Sequence, residues 1–270
     1  MGTSQSKRDS RPGNPLIPPH ADQDPQPGAP PAPLPPQPPP VIPPAGPPPA
    51  VVPSGRFKGF RTSLGRYAAT GDRSDARFAL GHWARSAGGS ARVARAVRSS
   101  GALFGALAGA RAGQPQPGVI LDFRRLQGAP VAVAIDQIVN AFCPPGILDE
   151  ELARIAIGQA LDEALQGQDT FDINAVDDHA IGVAILAFVA EMVFVAVMGD
   201  AGKALANAPT QLAAVQREAD IRSITKAITD VVGTPIIRQM QAQGQLTTDA
   251  MSRVVSHLID AVQGEMRTWQ

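Results

Sequence analysis

The sequence predicts an all-α protein: a multi-helix bundle that follows a long disordered, proline-rich N-terminal tail. Of the 27 prolines, 20 lie between Pro12 and Pro53, where the apolar residues show no periodicity. After Pro53 the apolar residues recur at three- and four-residue spacing, which is typical of amphipathic helices. The stretch VILDF, from Val119, is the only candidate for a strand, and it is weak.

Residues 1–53 have the composition of a solvated tail. Proline fixes φ and removes a hydrogen-bond donor, so a tract this rich in proline favours an extended polyproline II conformation. At about 3.1 Å per residue, the tract from Pro15 to Pro53 would reach on the order of 120 Å when fully extended. We therefore expect a strut that holds the first residues far from the fold. A ligand for SH3-like grooves is the alternative.

Residues 54–112 are expected to form a basic helical module. From Arg56 to Arg111 the net charge is +9, with eleven basic and two acidic residues. A second helix is expected to start at a Ser74 cap and to stop at Gly88 and Gly89. The first helix carries an apolar stripe of Phe57, Phe60, Leu64 and Tyr67. The third carries Gly101, Gly105 and Gly109 at four-residue spacing, which lets another helix approach closely.

Residues 113–270 are expected to form an acidic helical bundle with a net charge of −9. Pro130 suits the first position of one helix, and Asp149 can cap the next. Asp172 is expected to cap the long apolar helix, with Phe171 and Val176 as a hydrophobic staple. Two more helices are expected. The first has an apolar face of Ile221, Ile224, Ile228 and Val231, and the last is expected to start near Thr248.

The apolar stretch from Ile181 to Met198 is long enough to cross a membrane. Glu191 lies near its middle, where a charged side chain costs about 2.5–3.5 kcal/mol on insertion. We therefore expect a central, buried helix and no membrane association, with Glu191 as a buried polar residue paired to a basic side chain or a hydroxyl. Membrane association remains the alternative.

The sequence contains no recognisable catalytic or phosphate-binding motif, so we expect a protein that is not an enzyme and that needs no cofactor or metal. Two weaker candidates are Cys143 as a nucleophile near His179 or His257, and the VDDH segment ending at His179 as a metal site. We favour the interpretation of Cys143 as a small buried apolar residue and of the VDDH acids as residues that stabilise the start of a helix. The single cysteine and the absence of a secretory signal favour a cytoplasmic protein.

Arg92, Arg95 and Arg98 recur at three-residue spacing and are candidates for contact with a polyanion or a protein partner. Nucleic-acid binding would combine these cations with stacking on the aromatic residues of the basic module. Those aromatic residues have the spacing of a core, however, and an acidic bundle of equal and opposite charge follows in the same chain. Docking within the protein or to a partner is therefore favoured over nucleic acid.

The start MGTSQSKR places a glycine after the initiator methionine, which is ordinarily removed in that context. The α-amine of Gly2 would then have a pKa of about 7.7–8.0, against about 10.4 for lysine, and so would be partly nucleophilic at neutral pH. A reactive amine on a long strut suits covalent modification. N-myristoylation, with Ser6 completing the pattern, is an alternative that requires a eukaryotic acyltransferase.

Several segments together resemble the B component of the bacterial four-gene Qat anti-phage defence system. They are MGTS with PLIPP, FKGFRTSLGRYAATGD, ALGHWAR, FCPPGILDEELARIAIGQAL, QREADIRS and DVVGTP. The resemblance implies three partners: an ATPase, a QueC-like modifying enzyme and a TatD-like nuclease. It also implies that the QueC-like enzyme attaches a 7-deazaguanine group to Gly2, with Thr3 and Ser4 recognised beside it. The chain would then be a non-enzymatic component of the defence complex.

Overall fold

The computed structural model describes residues 55–113, 121–144, 148–244 and 247–269. Within these ranges the chain forms eight α-helices and no strand, so the all-α prediction is confirmed. The proline-rich tail lies outside the described residues. The helices are α1 (Lys58–Thr70), α2 (Arg73–Ala87), α3 (Ala94–Arg111), α4 (Val131–Phe142), α5 (Leu148–Ala164), α6 (Asp178–Ala201), α7 (Gln211–Ala242) and α8 (Thr248–Arg267).

The described helices pack as one compact unit around α6. Helices α5 and α7 lie along α6, while α8 packs against both α3 and α7. The segments expected as a basic module and an acidic bundle therefore share a core. Its largest fully buried side chains come from both segments, including Trp83 and Phe104 from the first and Phe171 and Phe188 from the second.

Helix α6 is the only described helix that is long and apolar enough to cross a membrane. The mean hydropathy of its most apolar 18-residue window is 2.6, and 67% of that window is buried against the rest of the protein. A helix that is apolar on all sides is expected at the centre of a bundle. Its place in the fold is therefore that of a core helix.

The glycine spacing of α3 brings α8 into close contact, as predicted. A Cβ atom added at Gly101 would lie 2.9 Å from the Cα of Ser252, and one added at Gly105 would lie 2.7 Å from the Cα of Thr248. Real Cβ atoms do not approach backbone so closely, so only glycine permits this packing. The α3–α8 contact thus depends on the absence of two side chains.

The predicted cap of α2 is wrong by two residues. Asp72, not Ser74, is the N-cap, and its carboxylate accepts a hydrogen bond from the Ser74 amide at 2.8 Å. Both residue types cap helices well, so local preference does not choose between them. Pro130 likewise stands one residue earlier than predicted, as the residue before α4. Helix α5 begins at Leu148, which places Asp149 inside its first turn.

The predicted cap of α6 is also wrong. Asp172 caps a short 3₁₀ turn, Ile173–Ala175, by accepting a hydrogen bond from the Asn174 amide at 2.9 Å. The chain then bends, and Asp177 caps α6 through the Ala180 amide at 2.7 Å. Phe171 and Val176 therefore do not form a hydrophobic staple at the start of an α-helix, although both side chains are buried.

Two further expectations need correction. The strand candidate VILDF does not form a strand in its described part, because Asp122 caps a 3₁₀ turn, Phe123–Leu126. On α7, Ile221 and Ile228 are buried as expected, but Val231 is 76% exposed. The stripe of α7 thus leaves the core before it reaches Val231.

Candidate functional site

The predicted arginine cluster lines a groove of about 440 Å³ on the surface of the unit. One wall is the segment from Ala91 to Arg98, which leads into α3 and carries all three predicted arginines. The other wall is apolar and comes from α5 and α6: Leu152, Met192, Val195, Ala196 and Gly199. We call this feature the arginine groove.

The arginine wall is held in place by the turn between α2 and α3. Gly88 and Gly89 both have positive φ, which only glycine adopts readily, and they reverse the chain after α2. Ser90 is then fixed on α8, because its amide and hydroxyl donate to the two carboxylate oxygens of Asp260 at 2.8 and 2.9 Å. The start of α3 therefore has a defined position beside α6.

Arg92 is committed to an internal ion pair. Its Nη1 and Nη2 atoms donate to the two carboxylate oxygens of Asp200 at 2.6 and 2.9 Å. The indole Nε1 of Trp83 donates to the same carboxylate at 2.9 Å, and Asp200 is only 7% exposed. The hydrogen bond with Asp200 raises the pKa of Arg92. Arg92 thus positions the groove wall and is not a free cation.

Arg95 and Arg98 are exposed and form no ion pair with any residue that the structure describes. They lie one helical turn apart on the rim of the groove, with Arg92 one turn earlier. The apolar wall opposite is also partly open, since Leu152 is 41% exposed and Ile155, one turn further along α5, is 45% exposed. Within the described residues, the groove therefore offers two cations without an ion-pair partner beside an apolar surface.

The aromatic side chains of the basic module are mostly unavailable for stacking. Phe60, Tyr67 and Trp83 are each at most 1% exposed. Phe57 is half-buried, and its ring centroid lies 5.4 Å from the guanidinium carbon of Arg56 and 5.5 Å from that of Arg92. Sequence-tolerant binding of single-stranded nucleic acid usually relies on exposed aromatic platforms. Phe60, Tyr67 and Trp83 instead pack in the core of the protein.

Phe57 lies near the start of the described residues, which begin at Gly55, and its ring packs against Arg92 of the arginine groove. Arg56 is fixed by a hydrogen bond from its Nε to the Ser86 carbonyl oxygen at 2.6 Å. The predicted modification residue Gly2 and its neighbours Thr3 and Ser4 lie outside the described residues.

Glu191 is buried in the middle of α6, at 6% exposure, and the structure pairs it with Arg222 of α7. The guanidinium carbon of Arg222 lies 4.0 Å from the ring centroid of Phe194, one turn from Glu191. A carboxylate buried without a partner would be strongly destabilising. This pair explains how an acidic residue is accommodated at the centre of the bundle.

The remaining chemical candidates are placed in structural roles. Cys143 is fully buried. Asp177 caps α6, and Asp178 forms an ion pair with Arg111. No group of three or more His, Cys, Asp or Glu side chains that could hold a metal ion occurs within the described ranges.

Sequence reasoning missed the two features that define the groove. Asp200 is separated from Arg92 by 108 residues, and no local pattern links them. Leu152 follows ordinary helical spacing, so its exposure is visible only once α5 is packed. The one available signal was that Asp200 interrupts the apolar end of α6, which marks it as a polar residue in need of a partner.

Comparison with known proteins identifies the family. A family model described as "Qat anti-phage system associated protein QatB" matches residues 86–264, about two-thirds of the chain. No curated protein and no solved structure matches. The match runs from the end of α2 to near the end of α8 and so includes the arginine groove. The chain therefore belongs to the QatB family and is a component of the Qat anti-phage system.

Proposed function

We propose that this chain is a non-enzymatic component of the Qat defence complex and that Gly2 is the acceptor of a covalent modification. The modifying group in this proposal is a 7-deazaguanine, attached by the QueC-like enzyme of the system. Membership of the QatB family is the observation that carries the proposal, because it places the chain among proteins associated with that system. A cytoplasmic location is part of the same proposal, supported by the burial of α6.

The chemistry of the first residues supports Gly2 as the acceptor. Once Met1 is removed, the α-amine of Gly2 is far more often unprotonated at neutral pH than a lysine amine is. Glycine also adds no side chain that would obstruct a narrow active site. Thr3 and Ser4 are the neighbours that the modifying enzyme would recognise.

The arginine groove supports a docking role for the folded unit. Arg95 and Arg98 beside the exposed Leu152 suit a protein surface with an apolar ridge flanked by acidic residues. Phe57, near the start of the described residues, packs against Arg92 of this groove. The QueC-like enzyme, the ATPase and the TatD-like nuclease are the partners we propose.

The acceptor is tested by the mass of the N-terminal peptide. The full chain is isolated from cells that carry all four genes and from cells that lack only the QueC-like gene. We expect the peptide from Gly2 to Lys7 to gain the mass of one 7-deazaguanine group in the first cells only. Ser6→Ala should keep the added mass, whereas myristoylation would be weakened by it. An unchanged peptide in the presence of all partners would contradict the proposal.

Nucleic-acid binding is the second candidate, favoured by Arg95 and Arg98, which form no ion pair within the described residues. It is tested by titrating the Arg95→Glu/Arg98→Glu variant with single-stranded DNA at increasing salt. A nucleic-acid interface predicts steep salt dependence and a loss of affinity in this variant. The matched control is Arg124→Glu/Arg125→Glu, which reverses two exposed arginines outside the groove. Equal affinity of the two variants would exclude the groove as the binding site.

A further inference from the structure

The wall of the arginine groove formed by α5 and α6 is an opening in the apolar packing of the described chain. Helix α6 has the hydropathy of a helix that is buried on all sides, with a mean of 2.6 over its most apolar window. Beside the groove, however, Val195 and Ala196 are partly exposed and Gly199 is exposed. A Cβ atom added at Gly199 would have no neighbour within 4 Å. Leu152 extends this surface onto α5, so the groove leaves apolar surface uncovered.

The opposite wall carries positive charge that has no ion-pair partner within the described residues. Arg95 and Arg98 are the second and fifth residues of α3, and its first turn contains no acidic residue. Asp200 and Asp260 hydrogen-bond to the 3₁₀ turn before α3 and leave both arginines unpaired. Since the amino end of a helix is itself positive, cations there are unfavourable and carboxylates are favourable. Negative charge from a partner would therefore be stabilised at this wall.

The lining of the groove selects among the ways in which a protein segment can bind. An extended segment usually adds to the edge of a sheet, and the described residues form no strand. A polyproline II segment binds between exposed aromatic rings, and none of the described residues that line the groove is aromatic. A helix satisfies its own backbone hydrogen bonds and packs along apolar residues at helical spacing. Met192, Val195 and Gly199 of α6 line the groove with that spacing.

We propose that the arginine groove binds an amphipathic α-helix of another protein of the Qat system. Apolar side chains of that helix cover the wall of α5 and α6, and its carboxylates pair with Arg95 and Arg98. The two arginines are about 4.5 Å apart along the α3 axis, so acidic residues three or four positions apart on the docked helix can reach both. The inference rests on the proposed place of the chain in the Qat complex and adds the chemistry of the docking segment.

The occupant is identified by photocrosslinking in cells that carry all four genes of the system. A photoreactive residue replaces Ile155, which is exposed one turn beyond Leu152 on α5. The matched control carries it at Leu212 of α7, an exposed apolar residue outside the groove. We expect only the first chain to crosslink to a segment of another Qat protein in which apolar and acidic residues recur at helical spacing. A segment without this pattern, nucleic acid, a second copy of the chain or no crosslink overturns the inference.

A second measurement separates recognition from folding. Arg95→Gln/Arg98→Gln should lower the affinity of the full chain for the crosslinked protein roughly tenfold, as measured by isothermal titration calorimetry. Its Tm should equal or exceed that of the parent chain, because the lost cations lie at the positive end of α3. The matched control is Arg124→Gln/Arg125→Gln, which alters two exposed arginines outside the groove. Unchanged affinity, or a loss of affinity that accompanies a lower Tm, contradicts recognition by these arginines.

The crosslinking experiment also separates this inference from the proposed modification. The same cells supply the mass of the peptide from Gly2 to Lys7. An added mass without a crosslink from Ile155 overturns the docked helix and leaves the modification of Gly2 standing. A crosslink to an acidic helical segment without an added mass supports the docked helix and contradicts the modification.

Discussion

Replacing Asp200 with alanine should destabilise the fold by about 2–4 kcal/mol. Its buried carboxylate accepts a hydrogen bond from Trp83 and two from Arg92. Loss of a hydrogen bond to a buried charged acceptor costs about 1.5–3 kcal/mol. The side chain of Arg92 is 38% exposed, so the ion pair itself contributes less, about 0.5–1 kcal/mol. For a unit of this size, the sum lowers the Tm by on the order of 10 °C.

Urea unfolding followed by tryptophan fluorescence measures this loss, since Trp83 is buried beside Asp200. Asp200→Asn keeps an oxygen that can accept from the indole, so it should lose less stability than Asp200→Ala. The matched control is Asp136→Ala on α4, which removes an exposed carboxylate and should stay within about 0.5 kcal/mol of the parent chain. Equal stability of Asp200→Ala and Asp136→Ala would refute the reasoning.

Three further predictions concern packing, buried charge and pH. Gly105→Ala should destabilise the protein by about 1–3 kcal/mol, because the added Cβ would meet backbone atoms of α8. Gly158→Ala, whose added Cβ would lie in open space, should stabilise the protein by about 0.5–1 kcal/mol, and chemical denaturation of both variants measures the difference. Arg222→Ala should cost about 2–3 kcal/mol by leaving Glu191 buried and unpaired, and Arg222→Lys should recover part of the loss in the same assay. Burial raises the pKa of Asp230 despite the opposing charge of Lys226, and Glu163 adds to the rise, so the carboxyl is harder to ionise in the folded state than in the unfolded one. Asp230→Asn should therefore raise the Tm at pH 7, and the gain should shrink as the pH falls through the pKa of Asp230.

The helices themselves could be predicted because their signals are local. Helix α1 follows its apolar stripe, α8 begins at Thr248, and the spacing of Gly101 and Gly105 anticipated the approach of α8. The exact helix starts could not be predicted where several capping residues stand close together. Asp172 and Asp177 both accept hydrogen bonds from the backbone, and tertiary packing decides which of them begins α6.

The candidate site was only half visible in the sequence. Arginine spacing drew attention to Arg92, Arg95 and Arg98, but it could not separate Arg92, which pairs with Asp200, from Arg95 and Arg98, which form no ion pair within the described residues. That separation depends on Asp200 near the end of α6, which meets Arg92 only in the folded chain. Contacts over such sequence distances leave no periodic trace, so they appear only in the folded structure.

The segregation of charge along the chain has a physical role that the net charge of zero conceals. Two basic residues of the N-terminal segment pair with acidic residues of α6: Arg92 with Asp200, and Arg111 with Asp178. These pairs join the turn before α3 and the last residue of α3 to the two ends of α6, and so attach the N-terminal helices to the bundle. Arg95 and Arg98 form no ion pair within the described residues, so their charge is available for a partner. The basic segment thus contributes to assembly of the fold through Arg92 and Arg111, and Arg95 and Arg98 are the residues of the arginine groove that can serve recognition.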